Sequence, residues 1–393
     1  VHPDWSFSDL VFPGFQGTIK AQNDGKGIRA VRFIVGMSGG VDSSLTAALL
    51  KQQGHDVIGV TLQLYDYETT LEETDPSKRH CHPLAFIQDA RDVANKLGIE
   101  HRVLSHQHIF QSQIINPFIE SYKKGHTPLP CAKCNRDVKT AALYAVMQEL
   151  GAEALATGHY VRRIDAGHGV QIHQGQDPIR DQSFFLFALE NHYFEKMHFP
   201  LGHYSKSETR SKALDFGLSV AETPASQDLC FIAKKSYKTL FEATPGDIVH
   251  IDDGRVLGTH QGVTGFTLGQ RQGLGIGGQS ESLHVISLDV PNNRVIVGPR
   301  HHLAQSHIHL ENVNWIAHDL QNPSSPDTSH SIGVKIRSSG RGMPATVSVH
   351  SGLKTALVSL ESPDYAIAPG QACVFYQGTR LLGGGWIAEQ RSL

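Results

Sequence analysis

The chain has 393 residues, 39% hydrophobic and 19% charged, with a formal net charge of −3. Such a length implies two or three domains with ample core, and the slight acidity gives no global pull toward nucleic acid, so any RNA contact must come from local basic patches. No apolar run approaches the roughly 20 residues of a membrane helix, and the odd number of cysteines, five, argues against a disulfide framework and leaves metal binding or thiol chemistry.

Residues 1–30 carry Asp4, Asp9 and Asp24 beside Lys20, Lys26 and Arg29 and have no apolar core. They fit neither a secretory signal nor an acid-poor transit peptide, so an irregular N-terminal extension on a cytoplasmic protein is expected. Val31 to Gly36 predicts a buried parallel strand, and Leu45, Ala48 and Leu49 then repeat at helical spacing up to Gly54. Between them, Ser38-Gly39-Gly40-Val41-Asp42-Ser43-Ser44 joins a strand to a helix N-terminus. Unpaired backbone N–H groups and the helix dipole favour an anion there, and Gly39 and Gly40 let a phosphate come close. Counted from Gly36, Val41 and Asp42 stand where a Walker A loop needs glycine and lysine, so a Walker ATPase is not expected. The pattern Ser-Gly-Gly-x-Asp-Ser resembles instead the pyrophosphate loop of N-type ATP pyrophosphatases, which adenylate an oxygen and release pyrophosphate.

Asp56 to Leu64 predicts a second strand and completes a right-handed βαβ unit. A helix through Ile87 to Leu97 closes at Gly98, Val103-Leu104 suggests the next strand, and Phe110, Ile114, Phe118 and Tyr122 mark another helix. The prolines of Thr127-Pro-Leu-Pro130 require an extended segment, which leads into Cys131-Ala-Lys-Cys134-Asn135 at the head of a helix running to Gly151. Ala154 to Gly158 predicts a strand whose tip, Thr157 to Tyr160, shares a crevice with the Ser38 loop beyond the carboxyl ends of the sheet. A hairpin follows around Asp165 to Gly169, and Ser205-Lys-Ser-Glu208 is a capping box opening a helix that ends at Gly217. Beyond about residue 230, short alternating runs predict an all-β tail, a small barrel. They are His284 to Leu288, Arg294 to Val297, Val334 to Arg337, Ala345 to Val349, Ala356 to Leu360 and Ala372 to Tyr376. Gln321 to Ser331 reads as a polar loop.

Cys131-x-x-Cys134 is compatible with half a zinc site, but no second pair exists, and Cys81, Cys230 and Cys373 stand alone. Cys134, at a helix start, is expected to have a lowered thiol pKa and to be nucleophilic. Cys230 reads equally as a buried small hydrophobe. Asp42 suits either a helix N-terminal carboxylate or a magnesium or loop-ordering role. His159 suits strand-end packing, a turn hydrogen bond or substrate contact. Lys123, Lys124, Lys133, Arg136 and Lys139 surround the Cys134 segment, and Arg162 and Arg163 follow His159. Such runs are usually solvated faces, and flanking a site they become candidate phosphate contacts. The 24 histidines form no ligating pair on a credible helix, and no bound transition metal is expected.

Six motifs then occur in one order: Gly36 to Ser44, Thr127 to Arg136, Ala156 to Tyr160, Asp181 to Leu186, Ser226 to Ile232, and Gly269-Gln-Arg-x-Gly-Leu-Gly-Ile276. In that order the chain resembles the tRNA-specific 2-thiouridylases over nearly all of its length after residue 30. The resemblance implies an α/β fold, a parallel-sheet pyrophosphate-loop domain (adenine nucleotide α-hydrolase-like, 31–227), followed by a small central domain (228–283) and a C-terminal β-barrel (284–393). It implies ATP-dependent 2-thiolation of the wobble uridine of tRNA, with Mg2+, by adenylation of O2 and sulfur transfer from a cysteine persulfide. ATP would lie on Gly36, Met37, Ser38, Gly39, Gly40, Val41, Asp42 and Ser43, with Leu62 and Gly158 at the adenosine. Cys134 matches the family's nucleophile, and Cys230 matches the persulfide carrier. Leu129, Pro130 and Cys131 match the target-base segment, where the family more often has Asn and Asp around the proline. His159, Arg180, Asp181, Gln182, Arg337, Ser338 and Gln371 match tRNA contacts. The partners implied are tRNA and a persulfide sulfur-donor protein, with no membrane and a monomeric enzyme. Two other readings compete: a pyrophosphate-loop ligase adenylating a small molecule, which needs no cysteine pair, and a non-catalytic RNA-binding protein, against which the complete loop and both cysteines speak.

Overall fold

The computed structural model describes residues 29–65, 83–167, 169–224, 229–232, 237–278, 281–317, 327–350, 354–365 and 367–389. Most of the N-terminal extension, Cys81, Ser226 to Asp228, Lys234 and Lys235 lie outside the described residues.

Five strands form one parallel sheet: β1 (Arg32–Gly36), β2 (Asp56–Gln63), β3 (Glu100–Ser105), β4 (Ala154–Ala156) and β7 (Met197–His198), in the order β3-β2-β1-β4-β7. Successive side chains of a strand point to opposite faces. Phe33 and Val35 accordingly pack with α1 (Val41–Gln52), α2 (Pro83–Leu97) and α8 (Lys206–Asp215), while Ile34 faces α6 (Ala141–Glu149). The α1 crossover runs to β2 on one side of β1, and β4 lies on the other. The order therefore switches between β1 and β4, where open α/β sheets bind ligands.

Two further helical stretches carry the cysteine segment. α3 (Gln107–Phe110), a π-helical turn (Gln111–Ile115) and α4 (Asn116–Lys123) run on from one another, and α5 (Pro130–Cys134) continues through a π-helical turn (Asn135–Thr140) into α6. Pro130 is the first helical residue, where its missing N–H costs nothing. The capping box at Ser205 forms as the sequence requires: its hydroxyl accepts from the Glu208 N–H at 3.3 Å, and Glu208 accepts from the Ser205 N–H at 2.7 Å.

The β tail divides between two sheets. β8 (Gly246–His250) and β9 (Val256–His260) join β10 (Leu283–Asp289) and β11 (Arg294–Pro299) in the order β10-β11-β8-β9. The runs at His284 and Arg294, expected in the terminal barrel, thus belong to a central sheet with its own core of Ile248, Val285, Val295 and Val297. The barrel is β12 (Gln305–Trp315), β13 (Asp327–Lys335), β14 (Met343–His350), β15 (Thr355–Asp364), β16 (Ala372–Gln377) and β17 (Arg380–Ile387), closed by pairing of β12 with β17. Asp327 to Ser331, expected in a loop, continue β13, because their backbone pairs in register with Thr346 to His350. A ladder of main-chain hydrogen bonds does not require apolar side chains on the strand that completes it.

The barrel shares a core with the first domain. Ala372, Val374 and Trp386 join Ile34, Leu155 and Phe187, and the Trp386 and Phe187 rings meet at 5.1 Å. Asn314 donates to the Phe187 and Leu189 carbonyls, each at 2.8 Å. The hairpin of β5 (Val161–Ala166) and β6 (Gly169–Gln174) extends the barrel sheet from β17, so the two units are tied on more than one side.

Candidate active site

β1 ends at Gly36, and the chain turns through Met37 to Gly40 into α1. The Met37 carbonyl accepts from Thr61 Oγ1 at 2.7 Å, and Thr61 is held in turn by His101 at 2.8 Å, which pins the loop to β2. Within the loop the Ser38 N–H donates to Ser43 Oγ at 3.0 Å, and Ser43 Oγ donates to the Gly40 carbonyl at 3.1 Å. Gly39 has φ +77°, and a Cβ there would stand 2.2 Å from the Phe86 carbonyl oxygen, so this turn requires glycine. Gly40 is the N-cap of α1 and offers no side chain to the free N–H groups that follow. They remain available to an anion. Gly158 closes the other side: a Cβ on it would lie 2.8 Å from the Asp42 carbonyl carbon and 2.9 Å from the Ser43 nitrogen. The β4 tip and the loop therefore pack backbone against backbone, with Leu62 near the end of β2, two strands away from β4.

Asp42 is engaged within the fold. Lys206 Nζ donates to its Oδ1 at 2.6 Å, and the Tyr160 hydroxyl donates to the same oxygen at 2.7 Å while lying 3.0 Å from Thr209 Oγ1. Burial, then the Asp42 charge, raises the Tyr160 pKa, so its proton stays to make this bond. The network joins the loop to α8. Sequence reading used Lys206 only as a member of the capping box and missed its contact. The signal was its place at the first residue of α8, and nothing in the sequence says which element that helix end faces.

The thiols lie on another wall. α5 begins at Pro130, so Cys131, not Cys134, occupies its first turn. Cys134 is 4% exposed, among Leu64, Phe110, Ile114 and Val138. Burial raises its pKa to about 11, against the lowering expected from a helix start: desolvation outweighs the Lys139 charge. Phe231 packs on this cluster, edge-on to Phe118 at 5.2 Å and Phe110 at 5.8 Å. Its neighbour Cys230 is thereby brought near enough for its charge to act on Cys134 and Cys131. Cys131 and Cys230 both keep solvent-accessible surface, although desolvation raises both pKa values. A crevice crowded by protein yet open to water has both properties. The Lys139 ammonium lowers the pKa of all three thiols, and their charges raise its own despite the opposing desolvation. All four cysteines among the described residues are free, and Cys373 is buried in the barrel core.

His159 borders this group. Its Nδ1 lies 2.8 Å from Thr157 Oγ1, and burial followed by the Lys139 charge lowers its pKa to about 4. It is neutral near pH 7, so it can contact substrate as a hydrogen-bonding ring and not as a cation. Pro130 is buried and Leu129 packs partly on the main core, leaving Cys131 the exposed member of its segment.

The other expected tRNA positions differ in what their side chains do. Arg180 is exposed, and its charge acts on Tyr160. The Asp181 carboxylate, 4% exposed, accepts from the N–H groups of Gly175 and Ser183 at 3.1 Å each, while Gln182 Oε1 accepts from the Tyr160 N–H at 3.0 Å. These two shape the turn that presents Arg180. Arg337 and Ser338 are exposed at the barrel rim, with Arg337 paired to Asp364 at 3.2 Å. Gln371 donates to the Thr127 carbonyl at 2.8 Å. Of the basic residues, Lys133 Nζ sits 5.4 Å over the Trp386 ring and Arg136 pairs with Asp137, so neither is simply a solvated charge. A cavity of about 700 Å3 is lined by Arg136, Glu190, Tyr193 and Lys354, and of the residues singled out in the sequence only the candidate phosphate contact Arg136 reaches it.

Comparison with known proteins agrees with this architecture. Residues 31–234 match the family model described as tRNA methyl transferase HUP domain, 234–299 the tRNA methyl transferase PRC-barrel domain, and 305–387 the aminomethyltransferase beta-barrel domain. The chain is 46% identical over 372 residues to the tRNA-specific 2-thiouridylase MnmA of Rhodospirillum centenum, covering 91% of this chain and 92% of that one. It is 45% identical over 371 residues to the MnmA of Rhodospirillum rubrum, covering 92% and 97%, and 44% identical over 368 residues to that of Rickettsia prowazekii, covering 92% and 99%. With three domain models in sequence and that identity across nine-tenths of its length, the chain belongs to the tRNA-specific 2-thiouridylase family.

Proposed function

We propose that this protein is a tRNA-uridine 2-sulfurtransferase that activates the C2 oxygen of the wobble uridine with ATP and replaces it with sulfur carried by Cys230. Substrate class and reaction come from the relatives' name. The observation that carries the mechanism is that Cys134 and the neighbour of Cys230, Phe231, far apart in sequence, pack in one apolar cluster, and that the charges of Cys230 and Lys139 both act on Cys134.

A urea-like C2 carbonyl resists thiol attack. Its oxygen attacks the α-phosphorus of ATP, pyrophosphate leaves, and the resulting adenylate turns the oxygen into a leaving group. The loop from Gly36 to Ser43 holds the leaving phosphates through its backbone and the Ser38 and Ser43 hydroxyls, with Leu62 and Gly158 beside the adenosine. The cradle suits phosphate, since any side chain at Gly39 or Gly158 would collide with backbone. Mg2+ would neutralise the phosphates, held chiefly by their oxygens, because Asp42 Oδ1 already serves Lys206 and Tyr160.

The terminal sulfur of a Cys230 persulfide attacks C2, and AMP leaves. Cys134 then attacks the Cys230 sulfur, forming a Cys134–Cys230 disulfide and releasing the transferred sulfur on the base. Burial leaves Cys134 little thiolate near pH 7, and the Lys139 charge, which pulls the other way, supports that step. Cys131, the exposed member of the Leu129–Cys131 segment, faces the base with Leu129 and Pro130 packed behind it, and His159, Arg180, Arg337 and Ser338 contact tRNA, with Asp181, Gln182 and Gln371 shaping the elements that bear them. The sulfur comes from a persulfide-bearing donor protein, and the enzyme acts as a monomer in the cytoplasm.

The test is mass spectrometry of tRNA nucleosides after incubation with ATP and a protein persulfide. 2-Thiouridine with AMP and pyrophosphate is expected. ADP and phosphate as the tRNA-dependent products would sink the adenylation, and pyrophosphate release without tRNA but with a small-molecule amine would favour the ligase.

A further inference from the structure

The reaction proposed above consumes two cysteines, and the fold supplies a third beside them. Cys131 lies in the first turn of α5, is exposed, and precedes the buried Cys134 by three positions on the same helix. Residues so spaced have Cβ atoms about 5–6 Å apart, against the about 3.5–4.5 Å of a disulfide. The gap closes by an adjustment of the first turn, whose N–H groups have no intrahelical hydrogen bonds and whose Cys131 carbonyl shares the Asn135 N–H with Ala132. Cys131 also feels the charge of Cys230, so the three thiols act on one another.

We infer that Cys131 is a resolving thiol: it exchanges into the Cys134–Cys230 disulfide left by each turnover, forming a Cys131–Cys134 disulfide and freeing Cys230 to accept sulfur again. The Cys131 thiolate attacks Cys134 Sγ, the Cys134–Cys230 bond breaks, and the proton lost by Cys131 ends on the departing Cys230 sulfur. The exchange is redox-neutral. A small dithiol reductant later returns Cys131 and Cys134 to thiols, entering at the exposed Cys131 sulfur, which the buried Cys134 could not offer it. Lys139 favours the attacking thiolate, whose charge it stabilises along with the other two. The site then has its carrier free for loading before the reductant arrives. This inference rests on the persulfide reading of the same site.

The experiment uses the full chain with tRNA, ATP and a persulfide donor, in one turnover without added reductant. The quenched protein is alkylated and its disulfides are mapped by peptide mass spectrometry. Wild type should show Cys131–Cys134 with Cys230 alkylated, and after a second exposure to donor Cys230 should gain one sulfur atom. Cys131→Ser should retain Cys134–Cys230 and lose the second sulfur loading. A lasting Cys134–Cys230 disulfide in wild type, or a Cys131–Cys230 disulfide, overturns the inference and leaves the persulfide reading standing. Thiolated tRNA with no disulfide in either protein overturns both. Mapping of wild type decides the matter even where the serine variant folds poorly.

Discussion

Gln371, at the edge of the barrel, donates from Nε2 to the carbonyl oxygen of Thr127 at 2.8 Å, and the Thr127 N–H donates to the Pro369 carbonyl at 2.9 Å. A Cβ on the intervening Gly370 would stand only 3.1 Å from the same Thr127 oxygen. The barrel thus grips the extended strap that delivers the chain into α5, and the position of Cys131 and Cys134 depends on a domain more than 230 residues further along.

Gln371→Ala should therefore act on the thiols. Losing the bond costs about 0.5–1.5 kcal/mol, read as a modest fall in Tm. Thiolation of bound tRNA should slow while ATP affinity is retained, because the phosphate loop receives no contact from this strap. Weaker tRNA binding with unchanged Tm and unchanged single-turnover rate would mean that the side chain contacts RNA directly.

Gly158→Ala tests the closeness of β4 to the phosphate loop. The new methyl carbon would meet the Asp42 carbonyl carbon at 2.8 Å and the Ser43 nitrogen at 2.9 Å, and neither is a side chain that can turn away. Overpacking of this kind costs about 1–3 kcal/mol. Since the displaced atoms are those that would receive phosphate, ATP affinity should fall about tenfold or more while persulfide loading of Cys230 continues. Titration calorimetry with ATP measures the first and peptide mass spectrometry the second. An unchanged ATP affinity would remove Gly158 from the nucleotide site.

What the sequence could reveal follows from what each feature depends on. The Ser38 loop was legible because a strand, two glycines and a helix start are local, and only backbone is needed to bind an anion. The capping box at Ser205 was legible for the same reason. The contact of Lys206 with Asp42 was not, since it depends on where α8 docks. Cys134 shows the limit most clearly: its neighbourhood in sequence suggested an activated thiol, but helix registry moved the helix start to Pro130, and packing by Leu64 and Phe110 reversed the pKa shift. The runs at His284 and Arg294 have the alternation of any half-buried strand, and alternation does not say which sheet a strand joins. The six motifs placed the chain in its family, while the division of the β tail emerged only from the strand pairing.

Acid should destabilise the fold through its buried histidines, His159 and His198 most of all. His159 has its pKa lowered to about 4 by burial and Lys139, and His198 to about 3 by burial, Arg163 and His55. In the unfolded chain both titrate near 6.5. Between that value and the folded ones the unfolded state binds protons that the native state refuses, so stability is full above about pH 6.5 and declines as pH falls toward 4 and 3. Tm measured from about pH 7.5 down to about pH 5 should drop, and His198→Gln should make the slope shallower. An identical slope in that variant would show that other groups govern the acid response.

Lys139→Met gives two shifts of opposite consequence from one substitution. The ammonium lowers the pKa of Cys134, Cys131 and Cys230, so its removal leaves desolvation less opposed and all three thiols should move further up. At a fixed pH near 8 the thiolate fraction falls, and alkylation of the exposed Cys230 by iodoacetamide should slow. The same ammonium also holds the His159 pKa down, so that ring should become easier to protonate and its NMR titration should move up from about 4. A general disruption of the site would instead expose Cys134 and speed its alkylation. Thiolation should decline most at low pH and recover partly as pH rises, because added hydroxide restores the thiolate that Lys139 had favoured. If thiol reactivity is unchanged while tRNA affinity alone weakens, Lys139 is a phosphate contact and another group must support the attack by Cys134.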